Sequence, residues 1–438
     1  IGLMSIIMKW RTYLVVIAAV YGILIFAINV LVIVFGLPSS EDQVLIKGNH
    51  EVPLKLLDRI SRIASNLKSN DVSCSSKVDS IVGSLLRASY RASDVVLDSL
   101  FWRKIGEWVT VEKIHDFNVD LTGVLSALER GKIVRADVEK KGTQLKLSLI
   151  LSGNQKVIFK PQWYDRNITI KGKVYDGKDR HNAEIAAYHL SRLLRLSKAP
   201  IACGRKIDLT EEILPVATDK LLNTFVKKGS KICFYGECYY CTKDELACGK
   251  GAILEGTVIL WLPLNKKLIK RRNPWQRTYK NNVFARWEVD DLYCYKVLND
   301  SHYTNHNYKE LLDLVETSVF DFLIGNGDRH HYEMFGGSPD SSIILLDNGK
   351  SFGNAYIDHI DILAPLYQCC KIRREFFQTL RTFKGDCLGK SLDRVMSTDA
   401  IYPVLHSDHL KALNRRLDMV LSVIKDCVDR MNVDMVLY

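Results

Sequence analysis

Two acids, Asp328 and Asp347, have the setting in which a side chain does chemistry. They lie in FDFLIGNGDRHHYEMFGGSPDSSIILLDNGKSFG, residues 320–353. An apolar helix end leads into a polar loop built on Asp328. The apolar run Ile343-Ile344-Leu345-Leu346 follows, and then Asp347-Asn348-Gly349. Helix, acid loop, buried strand and second acid form the layout of a phosphoryl-transfer site. There, one acid accepts the proton of an attacking hydroxyl and the other holds a metal on nucleotide phosphates. The spacing allows a hairpin that returns both acids to one cleft. The same residues also suit plain turn chemistry, since Asp-Asn-Gly is a good hairpin turn by itself. The HRD and DFG strings of protein kinases are absent.

The elements that must position these acids lie upstream. Leu145, Leu147, Leu149 and Leu151 alternate with Lys146, Ser148 and Ile150, the period of a strand. Ser152-Gly153-Asn154 turns the chain, and Val157-Ile158-Phe159-Lys160 returns before Pro161. Such a hairpin can cover phosphates, with Lys160 neutralising them. A lysine at a strand end also serves as an ordinary solvated charge. Ala186, Leu190, Leu193 and Leu194 then mark a helical stripe, with Glu184 in the first turn and off that stripe. A strand lysine followed by a helix glutamate is the ion-pair arrangement of a kinase small lobe. A first-turn acid also suits the helix dipole. Gly256 to Pro263 reads as a buried strand that passes between lobes and offers backbone groups to adenine. Lys266 to Arg286 is rich in Lys and Arg, a solvated face or a contact for acidic glycan. Tyr308 to Leu323 is a helix feeding the Asp328 loop. Earlier, Val52 to Leu67 and Val78 to Leu100 read as amphipathic helices, with Trp102 and Trp108 packing onto a core.

The chain has 438 residues, 47% of them hydrophobic, enough for a large core. A net charge of +11 favours anionic partners, and no zinc-finger spacing or long arginine-rich tract points to nucleic acid. Of 11 cysteines, eight fall between Cys233 and Cys387. Zinc and disulfides compete as explanations, and disulfides follow if the chain is secreted. Tyr13 to Pro38 is an uncharged apolar run long enough to span a bilayer, with Lys9 and Arg11 before it. The positive flank predicts a type II anchor, with the N-terminus cytosolic and the rest lumenal. Met4 is a possible start. The sequons at Asn167 and Asn299 suit a lumenal glycoprotein.

The strings GNGDRHHYE (325–333), LLDNGKSFG (345–353), DRHNAEIAAYHL (179–190), CFYGECYYC (233–241), NPWQRTYK (273–280) and PLYQCC (365–370) resemble the secretory-pathway kinase family with sequence similarity 20. The resemblance covers residues from about 95 to 430. LWLP (260–263) and ILAPLYQCC (362–370) are most similar to its xylosylkinase branch, which phosphorylates the 2-hydroxyl of xylose in the glycosaminoglycan–protein linkage of proteoglycans. A sister branch phosphorylates secreted proteins on serine, and a third is a pseudokinase activator of a partner kinase.

The resemblance implies an α+β, atypical two-lobed kinase-like fold preceded by N-terminal helices and a single transmembrane helix. The implied division is a cytoplasmic tail (1–12), an anchor (13–38), a lumenal stem with helices (39–130), a small lobe with a disulfide-rich insertion (131–263) and a large lobe (264–438). It implies a Golgi membrane protein that uses ATP with Mn2+ or Mg2+. By that likeness Asp328 is the catalytic base, and Glu184 and Asp347 bind metal. Gln144, Lys160, Glu184, Glu333 and Asp347 contact the nucleotide, and Ile259, Leu260, Trp261 and Leu262 line the adenine site. The implied disulfides are Cys233–Cys248, Cys238–Cys241, Cys294–Cys369 and Cys370–Cys427, leaving Cys74, Cys203 and Cys387 unassigned. Mg2+ needs only oxygen ligands, so His330 and His331 read as structuring the loop.

Overall fold

The computed structural model describes residues 43–45, 54–65, 74–90, 95–117, 119–140, 142–336 and 338–438. The expected cytoplasmic tail and the anchor at 13–38 lie outside the described residues. Among those described, no helix is long and apolar enough to cross a membrane.

Five antiparallel strands form the main sheet: β1 (Ile133–Val138), β2 (Leu147–Leu151), β3 (Gln155–Pro161), β4 (Ala202–Asp208) and β5 (Ile253–Leu260), in the order β1-β2-β3-β5-β4. The alternation read from the sequence sorts their side chains. Leu147, Leu149, Leu151, Val157, Phe159 and Val258 are fully buried under the helices Ser99–Glu107 and Thr122–Arg130, which contribute Trp102, Ile105, Leu125 and Leu128. Residues one position out of step, Ile158 and Lys160 among them, face the other side.

The second core is helical. Its main members are Ser301–Ile324, Cys387–Met396 and Ser407–Met431, whose Leu311, Val315, Val319, Leu392, Leu417, Val420 and Ile424 are buried together. The stretch expected as one helix from Val78 to Leu100 is two, Ser76–Arg87 and Ser99–Glu107, and they serve different cores. The first packs with Leu54–Ser65 on the helical core through Leu56, Ile60, Val78, Val82 and Leu85. The Cys74–Cys387 disulfide ties it there.

Four further disulfides join Cys233 to Cys248, Cys238 to Cys241, Cys294 to Cys369 and Cys370 to Cys427. Cys203 remains a buried thiol. The basic stretch after Lys266 is not simply a solvated face. Leu268–Arg272 pairs antiparallel with His331–Phe335, which pairs in turn with Ile343–Ile344. That small sheet forms the hairpin between Asp328 and Asp347.

Candidate active site

Lys160 is 5% exposed, not solvated, and three carboxylates meet its ammonium. Nζ donates to Asp179 Oδ2 at 2.9 Å, Glu184 Oε1 at 2.7 Å and Asp347 Oδ1 at 2.8 Å. Burial alone would lower the lysine pKa, but the three acids outweigh it and hold it well above the ordinary value. Lys160 in turn holds Asp347 well below the usual aspartate range.

Each acid is delivered by a different element. Glu184 comes from the helix His181–Leu193, all of whose residues are buried, so there is no solvent face for it to occupy. His181 Nε2 meets Glu255 Oε1 at 2.8 Å, and Asn182 donates to the Val404 carbonyl at 2.8 Å, which fixes the helix start. Asp179 stands just before that helix. Gly349 passes so close that a Cβ there would lie 2.5 Å from the Asp179 carboxyl carbon. Asp347 adopts a left-handed φ of 55°, a conformation that needs outside support in a non-glycine residue. The support comes from the next residue. Asn348 donates its N–H to Glu184 Oε1 at 3.0 Å and its side-chain amide to Glu184 Oε2 at 3.1 Å. Asp347 is the exposed member of the three, its side chain keeping 73% exposure.

Asp328 follows the long helix Ser301–Ile324. Its N–H donates to Asn326 Oδ1 at 3.2 Å, and the Tyr279 hydroxyl donates to its Oδ1 at 2.6 Å. Burial and Asp328 together push the Tyr279 pKa up, so the phenol keeps its proton. Tyr279 also stacks with Tyr175, with 4.8 Å between ring centroids, and meets His330 edge-on. Buried Arg329 joins the two acid segments. It binds Asp321 at 2.5 and 2.8 Å, the Leu346 carbonyl at 2.6 Å and Asn348 Oδ1 at 2.9 Å. Burial lowers the Lys350 pKa, and the charges of Asp179, Asp328 and Asp347 oppose that shift.

The remaining expected residues are distributed unevenly. Glu333, on the hairpin, has its pKa raised by burial and feels the charge of Asp347. Gln144 lies beside the Cys238–Cys241 knuckle, where Tyr240 N–H donates to the Thr143 carbonyl at 3.2 Å. Ile259 is the cross-strand partner of Ile158 and shares the Lys160 face. Leu260 pairs with Val157 and faces the opposite side. A cavity of about 730 Å³ on that opposite side, under helix Ser99–Glu107, is lined by Leu260, Trp261 and Leu262. The N–H groups of Leu260 and Trp261 already donate to Ile201 and Lys156 carbonyls, so neither is available to a base. His330 Nδ1 is 2.9 Å from the Asp328 carbonyl, a contact within the loop. Burial drops the His331 pKa to about 4.

Five site residues were not singled out from sequence: Asp179, Lys146, Tyr279, Arg329 and Asn348. Lys146 is a second cation beside the cluster, with its pKa lowered by burial and by Lys160. Among the described residues no group of three or more His, Cys, Asp or Glu side chains forms a ready metal cage. Hard divalent cations on nucleotides do not need one. One or two carboxylates suffice, with phosphate oxygens and water completing the shell. Glu184 and Asp347, already converging on one positive charge, fit that requirement.

The family model described as "Golgi casein kinase, C-terminal, Fam20" matches residues 100–436. Human glycosaminoglycan xylosylkinase is 48% identical over 338 residues, covering 77% of this chain and 82% of that protein. Human extracellular serine/threonine protein kinase FAM20C is 39% identical over 324 residues, covering 72% of this chain and 55% of that one. Among solved structures, hydra Fam20 with sugar aligns with a TM-score of 0.73 at 43% identity, over 78% of this chain and 99% of that one. The Golgi casein kinase with Mn/ADP bound aligns at 0.72 and 29% identity, over 90% and 93%.

Proposed function

The chain belongs to the Fam20 family, and we propose that it transfers the γ-phosphate of ATP to the 2-hydroxyl of xylose in the glycosaminoglycan–protein linkage of proteoglycans. One observation carries the choice of acceptor. Identity to the human xylosylkinase exceeds identity to the human serine kinase, and the alignment spans most of the xylosylkinase's length. A relative solved with manganese and ADP supports ATP and Mn2+ as cosubstrate and cofactor.

When bound, the divalent cation neutralises charge on the phosphates. The chain's own residues do the rest. Glu184 and Asp347 hold the cation, with Asp179 at hand beside them. Lys160 and Lys146 supply positive charge to phosphate oxygens, and Glu333 and Gln144 flank the nucleotide. Ile259 lines the base, with Trp261 and Leu262 at the edge where the strand leaves the small lobe. Asp328 orients the acceptor hydroxyl and takes its proton. Tyr279 occupies Oδ1 of that carboxylate, which leaves Oδ2 for the acceptor. The intact Lys160–Glu184 pair supports transfer rather than a pseudokinase role.

The same reading places the enzyme in the Golgi, anchored through 13–38 with a cytosolic tail at 1–12 and a stem and helices at 39–130. The small lobe is 131–263 and the large lobe 264–438. The test is direct. The chain is given labelled ATP, Mn2+ and two acceptors, a galactosyl-xyloside and a Ser-x-Glu peptide. Label on the sugar alone is expected. Label on the peptide alone assigns the sister activity, and label on neither, with nucleotide still bound, assigns a pseudokinase.

A further inference from the structure

Between the helices Cys387–Met396 and Ser407–Met431, the helical core sends the segment 399–405 onto the main sheet. Strand β4 meets it at Gly204. The N–H of Gly204 donates to the Asp399 carboxylate oxygens at 3.1 and 3.0 Å, and a Cβ there would overlap the Ile401 side chain. The loop after β3 meets it through Arg166, whose Nε donates to the Pro403 carbonyl at 2.8 Å and whose Nη2 donates to the Ile401 carbonyl at 3.0 Å. The helix His181–Leu193 meets it at Asn182, which donates to the Val404 carbonyl. Ile401, Val404 and Leu405 are buried, so this is a packed junction.

Arg166 also reaches the helix that carries Glu184. Its Nη2 pairs with Glu255 Oε1 at 2.6 Å, and the same oxygen meets His181 Nε2 at 2.8 Å. Thr257, two residues along β5 and on the same face, donates its hydroxyl to the His181 carbonyl at 2.7 Å. The first residue of the helix is therefore held by β5 at both its ring and its carbonyl. Arg166 ties β5 in turn to two carbonyls of the helical core. Glu184 lies in that first turn.

We propose that Arg166 is a positioning residue for the metal site. By joining Glu255 and His181 to the Ile401 and Pro403 carbonyls, it holds Glu184 where it shares a cation with Asp347. Such sharing needs both carboxylates in one coordination shell. The helix delivers one of them and the segment after Ile343–Ile344 the other, so the site exists only while the helix start keeps its place. At its own carboxylate, Glu184 is tied to Lys160 and Asn348, which belong to the site itself. The Arg166 junction uses none of the site's groups, so metal and nucleotide enter without undoing it. The proposal rests on Glu184 as a metal ligand, and not on which hydroxyl is phosphorylated.

Equilibrium dialysis of labelled ADP against the full chain, at stepped Mn2+ and without acceptor, gives the Mn2+ needed for half-maximal binding. Arg166→Ala is expected to need about tenfold more Mn2+ than wild type, the scale on which partners behind a metal ligand act, with binding restored at saturating Mn2+. Arg166→Lys keeps a donor and should fall between the two; it carries the same comparison where the alanine variant does not fold. Arg205→Ala is the control. It removes a buried guanidinium of the same sheet that faces the other way, bound to Glu212 at 2.5 Å and to the Gly131 carbonyl at 2.8 Å. It should lower the unfolding midpoint and leave the Mn2+ requirement unchanged. Hydrogen exchange of the metal-free chain should quicken at 181–185 in Arg166→Ala and not in Arg205→Ala. An unchanged Mn2+ requirement in Arg166→Ala, a deficit that saturating Mn2+ does not recover, or an equal shift in Arg205→Ala overturns the proposal. A wild-type requirement in Glu184→Gln removes Glu184 from the metal and the proposal with it. The Arg166 shift without any sugar phosphorylation by wild type keeps the proposal and rejects the xylose reading.

Discussion

Replacing Lys160 by methionine removes the ammonium on which Asp179, Glu184 and Asp347 converge. Methionine fills similar space, so the change is mainly one of charge. Taking one partner from a buried ion pair costs about 3–5 kcal/mol, because the remaining charge is left uncompensated. Asp347 stays 73% exposed, so solvent screens part of its share, and a loss of about 3 kcal/mol is expected. The pH dependence follows from the direction of each shift. The Asp347 pKa is depressed, so its contribution is present above the unfolded value, 3.8, and is lost as pH falls through the folded value. The Lys160 pKa is raised, so its contribution is complete below the unfolded value, 10.5, and is lost only as pH rises through the folded one. The gap between wild type and variant should therefore be flat through neutral pH and narrow below about pH 4. Mn2+ bound to the same carboxylates should stabilise the variant more than wild type, where the ammonium competes. Urea unfolding followed by tryptophan fluorescence, with and without Mn2+, reads all of this. An unchanged midpoint in metal-free buffer, or equal gains from Mn2+, would refute the arrangement deduced around Lys160.

Three further outcomes follow. Tyr279→Phe removes a hydrogen bond to a charged carboxylate, worth about 1.5–3 kcal/mol, so kcat should fall about tenfold or more while ATP affinity holds in a nucleotide titration. Burial holds the His115 pKa down at about 4, below its unfolded value of 6.5, so its unfolded form takes up a proton first as pH drops. Stability should decline by about 2–3 kcal/mol between pH 6.5 and 4, and His115→Gln should flatten that decline in denaturation scans. With five disulfides and Cys203 buried, a thiol reagent should find no reactive group in the native chain and one after denaturation.

The sequence carried much of this site because phosphoryl transfer needs few residue types in a fixed order. Asp328 and Asp347 stood out through the apolar run between them, and Lys160 and Glu184 through strand and helix periodicity. Asp179 was hidden because an acid just before a helix is also an ordinary start signal. Tyr279 lay in a basic stretch whose small sheet pairs with the hairpin only in three dimensions. The helix His181–Leu193 carries polar residues on a buried side. His189, Ser191 and Arg192 are all buried, and Arg192 donates to Ser89 Oγ at 2.7 Å and to the Leu85 carbonyl at 3.4 Å. No periodicity could reveal that the described helices before Gly131 divide between two cores.

The most direct measurement is the structure of the product. The chain and its Asp328→Asn variant are incubated with ATP, Mn2+ and a galactosyl-xyloside, and the sugar is examined by phosphorus–proton NMR. Phosphate on O2 of xylose from wild type, with none from the variant that still binds nucleotide, is the predicted result. Phosphate on another hydroxyl, or full transfer by the variant, would contradict the account.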